Sequence, residues 1–168
     1  MAKKAPTDII SHWYILIEGL QASPKEFYTA VEAAIRQRVV PDTEMFRIDW
    51  PEAGPFSPKR EYLRVKRKEH VFDICGAPFA NGFFVSWWLG EMPSGCLMIF
   101  GAVPVLGFFL QWFIRPATYH RIDTGLMFQE SIRAAVNEVI DQMTSAKGIR
   151  ALTELERKPI LREFAARR

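Results

Sequence analysis

The chain has 168 residues, 49% hydrophobic and 24% charged, enough for one domain with an appendage and near the composition of an ordinary globular protein. A net charge of +3 is a weak polyanion signal, and no aromatic stacking pattern is interleaved with the basic residues, so nucleic acid ranks below lipid as a partner. Two cysteines without CxxC spacing argue against a disulfide framework and point to a reducing compartment; three scattered histidines, His12, His70 and His120, lack metal-ligand spacing, so neither a metal nor another cofactor is expected.

Residues 12–20, HWYILIEGL, read as a strand with Trp13, Ile15 and Ile17 on one face. Ser23-Pro24-Lys25-Glu26 then carries a helix-start signature: Ser23 as cap, Pro24 at the first helical position and Glu26 completing a capping box. Phe27, Val31, Ala34 and Ile35 follow at helical spacing, which predicts an amphipathic helix over about residues 24–38, stopped before Pro41. Phe46, Ile48 and Trp50 alternate with Arg47 and Asp49 as in a half-buried strand. Leu63 and Val65, then Phe72 and Ile74, mark two more strands, and Phe83–Leu89 is β-rich and apolar on both faces. The order β-α-β-β-β-β predicts an α+β domain over residues 1–90, a small antiparallel meander sheet with one packed helix.

Gly95–Ile114, GCLMIFGAVPVLGFFLQWFI, has no Asp, Glu, Lys or Arg. Twenty residues in a helix rise about 30 Å, the thickness of a bilayer's hydrocarbon core, so residues 95–114 read as a membrane-associated segment. Trp87, Trp88, Trp112 and Arg115 fall where membrane-interface residues belong. Gly101, Pro104 and Gly107 interrupt the segment, and basic residues on both flanks favour a return to the cytoplasmic side, by a hairpin or a bend at Pro104. Residues 115–168 read as a helical region. Asp123 or Thr124 is the expected cap of a long helix that Lys147-Gly148 ends, and Ile149–Arg157 is a second helical piece before Pro159.

Chemistry is harder to find. Cys75 is the one nucleophile candidate, with His70 and Asp73 close in sequence. On a strand, however, Cys75 shares a face with Asp73 and Val71 while His70 points the other way, and a carboxylate neighbour raises a thiol's pKa. A packed structural thiol is the preferred reading. The basic run containing Arg64, Lys66, Arg67 and Lys68 reads either as a solvated strand and turn or as a contact for anionic lipid headgroups. The stripe Phe128, Ile132, Val136, Val139 and Met143 needs a cover: its own sheet, a second copy of the chain, or a protein partner, for which it is the expected docking surface.

The runs YLRVKRKEHVFDICGAPFANGFFVSWWLG and RIDTGLMFQESIRAAVNEVIDQMTSAKGIRALTELERKPIL resemble small bacterial proteins of no assigned activity. The resemblance implies a bacterial source and an inner-membrane location, and it transfers no catalytic residue. The expectation is therefore a non-enzymatic, membrane-associated interaction or assembly protein at the bacterial inner membrane, with both ends cytoplasmic. Two alternatives stand beside it: a cysteine-dependent enzyme using Cys75, and a soluble subunit of a larger complex with the apolar segment buried.

Overall fold

The structure, a computed structural model, describes residues 8–51, 59–92 and 118–161. These form a six-stranded antiparallel sheet and two helices in the order β1 (Asp8–Glu18), α1 (Pro24–Gln37), β2 (Thr43–Pro51), β3 (Lys59–Arg67), β4 (His70–Phe79), β5 (Gly82–Glu91), α2 (Tyr119–Ala146) and β6 (Ile160–Leu161). Across the sheet the strands run β2-β3-β4-β5-β1-β6, so β2 to β5 make a meander and β1 returns to pair with β5. The α+β class and the antiparallel meander agree with the sequence reading.

Local chemistry explains most of the boundaries. Pro24 begins α1 and Ser23 stands at its N-cap with extended backbone, yet Ser23 makes no side-chain cap bond; the expected capping box does not form. The β3–β4 and β4–β5 hairpins close through Lys68-Glu69 and Ala80-Asn81, and their first turn residues take φ of 52° and 51°. Both hairpin-favoured turn types require positive φ at that position. α2 begins at Tyr119, ahead of the expected caps, and Thr124 Oγ1 bonds back to the His120 carbonyl inside the helix. It does end as expected, with Gly148 at φ 65° just past its last turn.

Residues 149–157 are not helical. Thr153 and Glu156 close a tight turn on each other, Arg157 pairs with Asp141 at 2.8 Å, and the Trp13 indole donates to the Glu156 carbonyl at 2.6 Å. These bonds tie the chain to α2 and β1 and bring β6 to the edge of β1, where Ser11 and His12 face Leu161 and Ile160.

Both helices pack on one face of the sheet. Trp13 and Ile17 of β1, Leu63 and Val65 of β3, Phe72 and Ile74 of β4, and Phe83, Val85, Trp87 and Leu89 of β5 point into that core. Phe27, Tyr28, Val31 and Ile35 of α1 and Phe128, Ile132, Val136, Val139 and Ile140 of α2 close it. Each such side chain contributes about 1.5–3 kcal/mol when fully buried. Residues 8–92 and 118–161 thus share one core. The helical region read as separate, from residue 115 onward, is half of the cover over the sheet.

Candidate functional site

The face turned away from the helices is chemically different. Strand alternation brings Ile48 of β2, Tyr62 and Arg64 of β3, Val71, Asp73 and Cys75 of β4, Ser86 and Trp88 of β5, and His12 and Tyr14 of β1 to this side. Arg64 and Asp73 are cross-strand partners. The guanidinium donates from Nε to Oδ1 at 2.7 Å and from Nη2 to Oδ2 at 2.6 Å, with both side chains almost fully buried. Trp50 lies over the Arg64 guanidinium at 5.4 Å, and Nη1 reaches the Met92 sulfur at 3.8 Å. Burial pushes the Asp73 carboxyl up, against the pull of the two Arg64 bonds. Such a fork fixes register between β3 and β4.

Two residues further along β4, Cys75 is fully buried. Burial pushes its thiol up, opposed by Arg60, Tyr28 and Ser86. As read from strand alternation, His70 points to the opposite face, against Phe128. A nucleophilic cysteine needs a depressed pKa, an adjacent base and access. Among the described residues no base adjoins Cys75, its thiol is pushed up and its side chain is buried, which is the setting of a packed thiol.

Beside Cys75 the β3–β4 ladder opens. Its paired residues run from Leu63–Ile74 to Arg67–His70, and past that point the Tyr28 hydroxyl of α1 takes the place of the ladder. It donates to the Glu61 carbonyl at 2.7 Å and accepts from the Gly76 amide at 3.0 Å. Gly76 is required there: a Cβ would stand 2.4 Å from Phe27 Cδ1. Burial raises the Tyr28 phenol far above its ordinary value, so it stays a neutral donor. Nothing in the sequence marks Tyr28 for this task, since its helical spacing alone reads as core.

Several expected site residues lie elsewhere than foreseen. Arg64, a lipid-contact candidate, is buried and committed to Asp73. Arg67 donates from Nε to the Pro41 carbonyl at 3.0 Å, and Lys66 and Lys68 stand at the β3–β4 turn, Lys68 exposed. Trp87 is 1% exposed in the core between Trp13 and Phe72, so it is not a membrane-interface residue. Trp88, its neighbour, is 38% exposed and stacks on His12 at 4.8 Å. Phe128, Ile132, Val136 and Val139 are buried and Met143 packs against them, so the stripe expected to dock a partner closes the chain's own core. Trp112, Arg115 and the whole segment Gly95–Ile114 lie outside the described residues.

At one end of the sheet several features meet. His70 faces Glu91 across the β4–β5 ladder, with Nε2 3.6 Å from Oε1. Gly125 of α2 lies against the same imidazole, where a Cβ would meet Nε2 at 2.9 Å. The Met92 amide bonds the Glu69 carbonyl in the adjacent turn at 2.8 Å. Among the described residues no cluster of three or more His, Cys, Asp or Glu is placed to hold a metal ion, and no helix is long and apolar enough to cross a membrane.

No family model matches the chain, and no curated protein or solved structure matches it significantly.

Proposed function

We propose that the protein is a non-enzymatic, membrane-associated interaction or assembly protein of the bacterial inner membrane. The observation that carries this reading is the uncharged run Gly95–Ile114, held between β5 and α2 of a folded domain. Exposed aromatic and aliphatic side chains on the second face, Tyr14, Leu16 and Trp88, support it as a surface available to a protein partner or a second copy. The partner surface has moved from the α2 stripe to this face, because the stripe is already covered.

The test is fractionation of the full chain with and without the segment. The intact protein is expected to stay with membranes through an alkaline carbonate wash. Replacing residues 95–114 by a Gly/Ser linker is expected to release it with near-ultraviolet circular dichroism of the tryptophans retained. Recovery of the intact chain in the soluble fraction would overturn the reading.

One observation favours a second reading, a soluble subunit with the apolar segment buried. Ile48, Val71 and Cys75 are at most 2% exposed on the face that neither α1 nor α2 covers. Under that reading the intact chain elutes as a large complex without lipid, and the linker variant exposes Cys75 to thiol reagents.

A further inference from the structure

The sheet ends in two edges of opposite character. β2 carries Glu44, Arg47 and Asp49 and finishes in Pro51, the charges and proline that keep an edge strand from pairing with another chain. β1 has neither a charge nor a proline in the run WYILI from Trp13 to Ile17. Among the described residues β6 covers this edge only at Ser11 and His12, so Tyr14–Glu18 has no neighbouring strand on its outer side. Tyr14 is 59% and Leu16 38% exposed.

The backbone of this stretch aims its donors and acceptors outward. The Gly19 amide bonds the Asn81 carbonyl at 3.0 Å, which extends the β1–β5 register past Ile17–Phe83. Alternation then assigns the amides and carbonyls of Trp13, Ile15 and Ile17 to β5 and turns those of Tyr14, Leu16 and Glu18 to the edge. Such a row is a template for one more strand.

The ends of the stretch decide what fits there. β6 blocks the edge at His12, and Gly19, at φ 74°, turns the chain away after Glu18. The midpoint between them is Leu16. An antiparallel strand from a second copy, paired over the same residues, sets Leu16 opposite Leu16, Tyr14 opposite Glu18 and Ile15 opposite Ile17. Outward groups then meet outward groups, with two bonds at each Leu16 or Tyr14–Glu18 pair. Each Glu18 carboxylate stands across from a Tyr14, so no like charges face each other. Gly19 of the second copy falls opposite Trp13, where its chain has already turned aside before meeting β6. An edge that complements itself in this way closes as a two-fold dimer.

We infer that the β1 edge from Tyr14 to Glu18 pairs antiparallel with a second copy of the chain about Leu16, joining two sheets into one. This rests on the interaction reading above and names its partner; membrane location enters nowhere in it.

The experiment uses the full chain with Cys96→Ser, keeping the buried Cys75, in lysed cells. Leu16→Cys, Tyr14→Cys and Glu18→Cys variants are oxidised in the membrane and soluble fractions alike and read by mass without reductant. Opposed Leu16 Cα atoms stand about 5.5 Å apart, within disulfide reach, whereas the two Tyr14 positions are about 14 Å apart. Leu16→Cys is expected to give a species of twice the chain mass. Tyr14→Cys alone is expected to stay single, and to couple when co-expressed with Glu18→Cys. A Leu16→Cys chain that stays single, or couples to a protein of another mass, overturns the inference; so does Tyr14→Cys coupling to itself as fast. Release of the coupled dimer by carbonate overturns the membrane location and leaves the dimer standing, while a single chain retained by membranes does the reverse. Leu16→Lys places like charges face to face and is expected to raise the dimer dissociation constant at least about tenfold at unchanged circular dichroism, with association restored on mixing with Leu16→Glu. Undiminished association of Leu16→Lys, or an equal loss in Phe46→Lys on the β2 edge, overturns the assignment to β1.

Discussion

Adjacent tryptophans separate the two faces of this sheet. Trp87 points into the helix-covered core beside Phe72 and Trp13, whereas Trp88 points the other way, stacks on His12 and stays partly exposed. The core face is held by close packing of apolar side chains. The second face is organised by a buried ion pair, a thiol and aromatic rings. Packing closes a fold with little regard to which apolar residue supplies the volume, while an ion pair on a sheet face dictates which strands lie side by side. The first face therefore carries most of the stability, and the second carries the Arg64–Asp73 pairing between β3 and β4.

Truncation at the pair gives the sharpest contrast. Trp87→Ala is expected to cost about 3–5 kcal/mol of unfolding free energy, as large core truncations do. Trp88→Ala should cost under about 1 kcal/mol, because that ring is already partly in water. Urea denaturation of both variants measures the difference, and equal losses would erase the distinction between the faces.

Asp73→Ala leaves the Arg64 guanidinium buried without its carboxylate and is expected to destabilise by about 3 kcal/mol. The double variant Arg64→Met/Asp73→Leu should recover most of that loss, since the pair's value lies in specificity more than in net energy. Failure of the double variant to recover would make the pair a net stabiliser.

Tyr28→Phe removes the hydroxyl that serves both the Glu61 carbonyl and the Gly76 amide, with an expected cost of about 1–3 kcal/mol. Amide hydrogen exchange at Gly76 should accelerate more than at Phe72, which lies inside the paired ladder. Uniform acceleration would show that the hydroxyl does not act locally.

The smallest effect lies in the strap beyond α2. Hydrogen bonds from Arg150 and from the Thr153 amide and hydroxyl lower Glu156 from the ordinary glutamate value of 4.5 to about 2. A folded value below the unfolded one means that this contribution is fully present above about pH 4.5 and fades as pH falls towards 2. Tryptophan fluorescence reporting on Trp13, whose indole bonds the Glu156 carbonyl, should shift over that window in the parent and show no such step in Glu156→Gln.

Much of the architecture was legible because period-two and helical patterns set which residues share a face. Leu63, Val65, Phe72 and Ile74 point to the core as their alternation requires, and the split of Cys75 from His70 follows from the same rule. Phe46, Ile48 and Trp50 show the limit. They alternate as a core face would, yet it is Arg47 that faces α1, pairing with Glu32 at 2.9 Å and lying over the Tyr28 ring at 4.3 Å. Alternation identifies two sets of residues without saying which set meets a helix. Residues 149–157 failed as a helix for a similar reason, since the bonds of Thr153, Glu156 and Arg157 outweigh a weak local propensity.

Residue order alone was enough for the α+β class, the strands, the span of α1 and the uncharged run at residues 95–114, because these depend on periodicity and composition within a short window. Tertiary contacts decided that α2 closes the chain's own core, that Arg64 belongs to Asp73 and not to a solvated face, and that Tyr28 stands in for a strand ladder. They also decided that Glu91 and Tyr119 emerge at one end, around His70. Those facts depend on which strands become neighbours, and neighbours in a sheet are chosen by burial summed over the whole molecule rather than by any single stretch of residues.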